Sequence, residues 1–478
     1  MKVKGIIILL FFSLSLTGCE TDSSYTITWN NDDGTTLEVD KNVIYGSMPT
    51  YDGVTPTKDD NEEGYYTLSG WSPSISKVTG NKTYVAQYSF YAYDDFLNYT
   101  LNDDETSYSV ELKADASPIK LKIADVHLGK PVISIPNKAF EQCFSLTSII
   151  IPDSVKNMGA FIFHNCISLI SIIMPANISS IEMSTFFNCS SLTSIVIPSS
   201  VTSIGMDAFF NCSSLTSIVI PSSVTYLGNS IFSSCLSLVA IDVDNNNANY
   251  SSNNGVLYNK DQTTLICYPG GKIETSFTLP SSVTSIGDNA FYFCSALISI
   301  TIPSSVTSIG NYAFYRCVSL STITLPNSVV TIGLYAFSAC SSLTSINIPD
   351  SVTSIGNSAF VICPSLTAID VDNNNANYSS DNGILFNKDK TTLICYPGGK
   401  TETSFVILNS ISSIASCAFD SCSFLTSIII PNSVISMGNS VFFLCDNLTI
   451  YVEAESKPAG WSDYWNSYNC PVVWGYRA

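Results

Sequence analysis

The chain repeats itself every 23 residues. Pro152, Pro175, Pro198 and Pro221 stand 23 apart, and so do Pro280, Pro303, Pro326 and Pro349. One unit reads PSSVTSIGMDAFFNCSSLTSIVI from Pro198, and the next reads PSSVTYLGNSIFSSCLSLVAIDV from Pro221. A unit this short cannot bury its own apolar face, so units must stack. The period predicts a solenoid in which each rung contacts only its neighbours. Such a fold presents one side chain per rung at every surface position, and long surfaces of that kind bind other molecules.

Within the rung from Pro198, the positions Val201, Ile204, Ala208, Phe209, Cys212, Leu215, Ile218 and Ile220 recur in kind in nearly every unit, which makes them the core-facing set. Ile218-Val219-Ile220 alternates in, out, in, as a strand does. Pro221 ends it, because proline cannot donate to a ladder. Val224 to Leu227 reads as a second short extended stretch. Ala208, Phe209 and Cys212 carry the spacing of a short helical turn.

Charged residues make up 12% of the chain, against about 25% in typical soluble proteins. Net charge is −19, which argues against nucleic acid, since phosphate binding needs clusters of Lys and Arg. The acidity is uneven: residues 20–115 carry −13 and residues 116–478 carry −8. Eleven of the 16 cysteines fall on one repeat position: Cys143, Cys166, Cys189, Cys212, Cys235, Cys294, Cys317, Cys340, Cys363, Cys422 and Cys445. Stacked neighbours would lie about 5 Å apart with parallel Cβ vectors, poorly aimed for disulfides. The expectation is a buried ladder of reduced thiols, in which Cys317→Ser costs more than Cys317→Ala unless the hydroxyl finds a partner. No Cys-x-x-Cys pair exists and the only histidines are His127 and His164, so no metal site and no cofactor is expected. Neither histidine has a local acid or nucleophile arranged for hydrolysis, His164 being read as solvent-facing, and no enzyme activity is expected. Asp242-x-Asp244-x-Asn246 and Asp370-x-Asp372-x-Asn374 lack the Gly and Glu of a calcium loop and read as Asn-rich turns.

Lys2 and Lys4 precede an apolar run ending in Leu16-Thr17-Gly18-Cys19. A basic start, a short apolar core and a small residue before the cut make residues 1–18 a secretory signal. The ending resembles the bacterial lipobox, which implies a lipidated Cys19 and a tether over 19–24. Residues 25–90 have a different grammar: an alternating strand at 25–29, a turn at 31–34, Gly64-Tyr65 followed by Gly70-Trp71, and a closing strand at 83–88. This order resembles the Listeria–Bacteroides repeat, which implies a small β-grasp-like spacer. A cap of the solenoid is expected over 91–131 and the repeats over 132–450. Two long rungs, 244–279 and 372–407, share nearly the same text and should each carry a β-hairpin. An aromatic tail at 451–478, with Trp461, Trp465 and Trp474, is expected to close the far end. Its alternative use would be stacking on sugars.

The pattern Pro-x-Ser-Val-x-x-Ile-Gly-x-x-Ala-Phe-x-x-Cys-x-Ser-Leu-x-x-Ile-x-Ile resembles the BspA-like leucine-rich repeat of bacterial surface proteins. The fold class expected is thus a leucine-rich-repeat solenoid, β-strand-rich with short helical turns, behind a small β-grasp-like domain. The resemblance implies a monomeric, non-catalytic adhesin that contacts an extracellular protein or another cell. It would touch a membrane only through its N-terminal lipid. A surface glycan- or nutrient-binding lipoprotein is the alternative. The candidate binding surface is the outward residue of each strand: Ile150, Ile173, Val196, Val219, Asp242, then Thr301, Thr324, Asn347 and Asp370. An aliphatic stripe followed by a polar one is unusual on a surface with no partner.

Overall fold

A computed structural model describes residues 23–477. The expected signal and Cys19 lie outside them. The chain forms two compact units, the first ending at Asp95 and the second starting at Phe96.

The first unit holds four strands: β1 (Ser24–Asn30), β2 (Thr36–Ile44), β3 (Gly64–Ser72) and β4 (Lys82–Ala92). They form one sheet in the order β2-β1-β4-β3, with β1 and β4 parallel and the outer pairs antiparallel. Ile27, Trp29, Val78 and Tyr84 form its buried centre. Trp29 stacks on Tyr84 at 4.7 Å and meets Trp71 edge-on at 4.7 Å, so the Gly-Trp signature supplies a core ring. Gly34 ends the β1–β2 turn at φ +90, where a side chain would be strained.

The second unit is a solenoid with three ladders. The longer strands pair in parallel and in register, as in Ile149 with Ile172 and Ile218 with Ile241. A second ladder joins two-residue strands such as Ser180–Ile181, Ser203–Ile204 and Tyr226–Leu227. All eight core-facing residues of the rung from Pro198 are buried. The phenylalanines stack from rung to rung, Phe140 on Phe163 at 5.5 Å and Phe314 on Phe337 at 5.2 Å. In several rungs the serine two residues after the proline donates to the preceding rung's valine carbonyl, as Ser223 Oγ does to Val201 O at 2.6 Å and Ser305 Oγ to Val283 O at 2.6 Å. The glycine after the short strand marks the closest approach of rungs: a Cβ on Gly333 would lie 2.4 Å from the Gly310 carbonyl carbon.

The third side is not helical, contrary to the expectation at Ala208 to Cys212. Among the described residues the one helical element is a single 3-10 turn, Tyr93–Phe96. The i, i+3/i+4 spacing instead follows a run of turns. Asp207 and Asn211 take positive φ, and the same two positions do so in other rungs. The amides of Asp207, Phe209 and Asn211 donate to Asn229, Ile231 and Ser233 of the next rung. Those of Ala208, Phe210 and Cys212 close local turns. Half the amides are thus committed between rungs, which an α-helix would forbid.

The long rungs differ from a simple hairpin. Tyr250–Asn253, Val256–Asn259 and Thr264–Cys267 form a three-stranded meander, and its last strand doubles as the rung's short strand. Asn247 replaces the core valine and is fully buried. Its amide donates to Pro221 O and Val224 O, and its carbonyl accepts from Asn249 and Tyr250 N–H. Asn375 repeats these contacts in the second copy. Tyr268 and Tyr396 stand in the phenylalanine ladder, stacked on Phe291 and Phe419.

Candidate functional site

The outward positions of the longer strands line up through the pairing register. Ile150 stands opposite Ile173, Val219 opposite Asp242, and Asn347 opposite Asp370. Ile150 is 38% exposed, Ile173 60%, Val196 81% and Val219 57%. Their inward neighbours Ile149 and Ile218 are buried, so the strand alternation sets the outward face. Asp242, Thr301, Thr324, Asn347 and Asp370 are also exposed. Every residue of the candidate column therefore reaches the surface.

Two features of the column escaped the sequence reading. Lys122 lies on the ladder beside Ile150 and begins the column with a positive charge. The strand expected at Ile195 to Ile197 is not paired: residues 192–198 form no strand. The flanking bonds there are Thr193 N–H to Ile170 O at 3.4 Å and Thr216 N–H to Thr193 O at 3.3 Å. An apolar hollow of about 330 Å³ opens at the gap, lined by Ile172, Ile173, Met174, Val196 and Pro198.

A second feature lies on the turn side. The residue after the core phenylalanine is aromatic in several rungs, and these rings form a half-buried ladder: His164 on Phe187 at 4.8 Å, Phe187 on Phe210 at 4.8 Å, and Tyr292 on Tyr315 at 4.9 Å. The signal was present as adjacent aromatics in the repeat text. His164 is accordingly packed rather than solvent-facing, 3.2 Å from Glu141. His127 stacks on Tyr99 at 4.0 Å. Rings stacked on one another cover each other's faces, leaving edges outward, which suits packing better than a sugar platform.

Other candidates resolve on geometry. Trp461 and Trp465 are buried, and Trp461 Nε1 donates to Val434 O at 3.0 Å, so these rings offer no open face. In the Asn-rich turns, Asp244 and Asp372 accept from the amides two residues on, at 2.8 Å each. Lys260 and Lys388 donate to the backbone carbonyls of Asn247 and Asn375 beside these turns. In the first unit Glu38, Asp40 and Asp52 bring carboxylate oxygens within 4.8 Å of one another. The Asp52 carboxyl beside it pushes Glu38 up to about 7.

The described repeat cysteines are free thiols. They do more than fill space. Cys166, Cys212, Cys317 and Cys340 each donate Sγ–H to the phenylalanine carbonyl 26 residues earlier, at 3.1–3.2 Å. Burial pushes Cys143 up to about 11 and raises Cys317 further, which keeps them protonated and unreactive.

Comparison with known proteins agrees with this architecture. No curated protein matches the sequence. Among solved structures, the pneumococcal vaccine antigen PcpA is 20% identical, with 90% of this chain and 98% of that one covered at a TM-score of 0.50; the likeness is one of fold. A leucine-rich repeat protein from Bacteroides ovatus is 25% identical, covering 80% and 98% at a TM-score of 0.45. A leucine rich cell surface protein from Faecalibacterium prausnitzii is 23% identical, covering 80% and 97% at 0.43. The family model for the BspA type leucine rich repeat region matches in six copies, over residues 119–254, 267–383 and 396–458. With most of its length matched in this way, the chain belongs to the BspA-type leucine-rich-repeat family.

Proposed function

We propose that the chain is a non-catalytic adhesin, held at a bacterial surface by a lipid on Cys19, with residues 25–90 as a spacer. Its strand column makes the contact. The observation that carries this reading is the exposure of Ile150, Ile173, Val196 and Val219 on four consecutive rungs. A desolvated aliphatic centre with a polar border is the usual anatomy of a protein interface. Here the serines at 148, 171, 194 and 217 form one border. The partner class that fits is an extracellular protein or another cell's surface. A glycan would need open aromatic faces or dense polar groups, and the aliphatic half provides neither.

Val196→Lys with Val219→Lys tests the reading. Both side chains point outward, so the rungs should remain folded, with an unchanged circular dichroism spectrum. Adhesion to immobilised matrix proteins and to cells should be lost. Undiminished adhesion by the folded double variant would move the site away from this column. Membrane fractionation of Cys19→Ala tests the anchor, which predicts release of the protein from the membrane.

A further inference from the structure

The first long rung lacks a corner. In a regular rung five steps lead from the short strand to the phenylalanine ladder, as from Ile286 to Phe291. In the long rung Leu265 pairs with Ile286 and Tyr268 stacks on Phe291, yet only three steps lead from Leu265 to Tyr268. Two residues of the outer corner are thus missing. The flanking corners, Gly228-Asn229 and Gly287-Asp288, stand around a cavity of about 220 Å³ that Leu257 and Ile266 also line. The glycines report the same gap. A Cβ on Gly310 would meet three atoms within 2.7 Å, whereas one on Gly287 would meet Leu265 O at 2.9 Å and no other atom nearer than 3.7 Å. Asn289 Nδ2 donates to Ser230 Oγ at 2.8 Å across the notch and fixes its width.

The notch leaves open the backbone donors that neighbouring rungs use. Asp207 and Phe209 N–H donate to Asn229 and Ile231 O of the next rung. The equivalent amides one rung on, Ser230 and Phe232, find no acceptor among the described residues. At the corners, an Asp or Asn Oδ1 accepts from the next corner's amide, Asp288 from Asn311 at 2.7 Å and Asn311 from Leu334 at 2.8 Å. Asp288 N–H has no such acceptor among the described residues, because the corner that would supply it is missing. A sheltered amide without an acceptor is unfavourable, so a ligand that brings one is stabilised by it.

We propose that this notch binds a peptide turn of a partner protein, an uncharged Gly-Asn corner that takes the place of the two missing residues. The turn's backbone carbonyls accept from Ser230 and Phe232, and its asparagine Oδ1 accepts from Asp288, as Asn311 Oδ1 does from Leu334. The Asp288 carboxylate at the rim selects asparagine over aspartate. The second long rung shows how strongly the gap calls for an acceptor. It is shortened by the same two residues, from Leu393 to Tyr396. There the chain supplies its own acceptor, Asp420 Oδ1, which takes Ile362 N–H at 2.8 Å. Ala415 also places a methyl where Gly287 has none. In the first copy Tyr292 stands at the Asp420 position, and Ser234 N–H, the counterpart of Ile362 N–H, has no acceptor among the described residues. The notch lies on the turn side, apart from the strand column, and its test does not depend on that column. Many copies on one surface would add such weak contacts together.

The probe is the acetylated, amidated hexapeptide Ser-Ile-Gly-Asn-Ser-Ala, the text of a regular corner at 354–359. Titrated up to about 20 mM into residues 20–478, which carry both compact units, it should bind with a Kd of about 1–10 mM, the range of so small a contact. By NMR the amide protons of Ser230, Phe232 and Asp288 should move downfield as they gain acceptors, while those of Ser358 and Phe360 in the second copy should not. Replacing the probe's asparagine with aspartate should weaken binding about three- to tenfold. Two variants close the notch. Inserting Gly-Asn between Leu265 and Ile266 supplies the corner from within and should also raise the Tm. Ile266→Trp fills the cavity from its lining. Each should weaken binding about tenfold or more with an unchanged circular dichroism spectrum. No saturation by about 20 mM, undiminished binding by either folded variant, or equal shifts in both copies overturns the proposal. N-acetylasparagine amide binding as tightly as the hexapeptide also overturns it, by making the notch a site for small amides rather than a peptide turn.

Discussion

The cysteine ladder makes the sharpest stability prediction, and the structure changes its form. Sequence alone treats Cys317 as an apolar filler, so a serine there would bury an unsatisfied hydroxyl and cost more than alanine. The Sγ, however, lies 3.1 Å from Phe291 O, which already accepts from Cys294 N–H at 3.1 Å. The thiol is a second donor to one carbonyl. A serine Oγ sits on a bond shorter by roughly 0.4 Å, which places it near 3.5 Å from that oxygen unless the rung closes in, a marginal hydrogen bond. Partial satisfaction brings the burial cost of the hydroxyl to about 1–2 kcal/mol, the low end of its range. Alanine loses the sulfur's burial, about 1 kcal/mol by comparison with a methylene, and leaves a small cavity worth about another 0.5 kcal/mol. The two variants should therefore fall within about 0.5 kcal/mol of each other, each about 1–2 kcal/mol below wild type.

Denaturant unfolding followed by circular dichroism checks this, with Cys317→Ser and Cys317→Ala compared as a pair so that differences in unfolding cooperativity largely cancel. Native-state alkylation should leave the ladder cysteines unmodified, because burial raises their thiols. Serine costing 2 kcal/mol or more beyond alanine would refute the hydrogen-bonding role, since that gap requires a hydroxyl with no acceptor. Disulfides among the ladder cysteines by mass spectrometry would refute the ladder itself.

Two further outcomes follow. Asn247→Ala removes a fully buried amide that makes four hydrogen bonds and should cost about 3–4 kcal/mol, with Asn247→Val no better despite restoring the repeat's usual residue; protease sensitivity near 244–260 would report it. Glu38 holds its proton more tightly when folded, its value raised from 4.5 to about 7 by Asp52 first, then by burial and Asp40. Its favourable contribution is therefore present below about 4.5 and is lost as pH rises through about 7. The first unit should melt lower at pH 8 than at pH 5, and Glu38→Gln should flatten that difference.

The repeat text contained most of the core and little of the detail that makes a surface. Proline, Phe, Cys and Leu at fixed spacing determine which side of each rung faces in, because burial reads only which positions are apolar. The turn side was misread because an i, i+3/i+4 spacing is common to a helical turn and to a turn with residues at positive φ four apart. Only the fate of the amides separates them, and that depends on the next rung. The break in the ladder is subtler. Ser194-Ile195-Val196-Ile197 and Ser217-Ile218-Val219-Ile220 are the same tetrapeptide, yet only the second is a strand. The difference lies in the neighbours. Pairing extends to a fourth residue at Ile220 with Val243, Ile348 with Val371, and Ile430 with Val452, all β-branched. The rung before Val196 has Met174 at that position, a flexible unbranched side chain, and its Ile172 is only partly buried. Met174 in the previous rung lines the hollow beside the most exposed valine of the column. A binding feature placed in this way cannot be read from any single repeat, because it belongs to the contact between two.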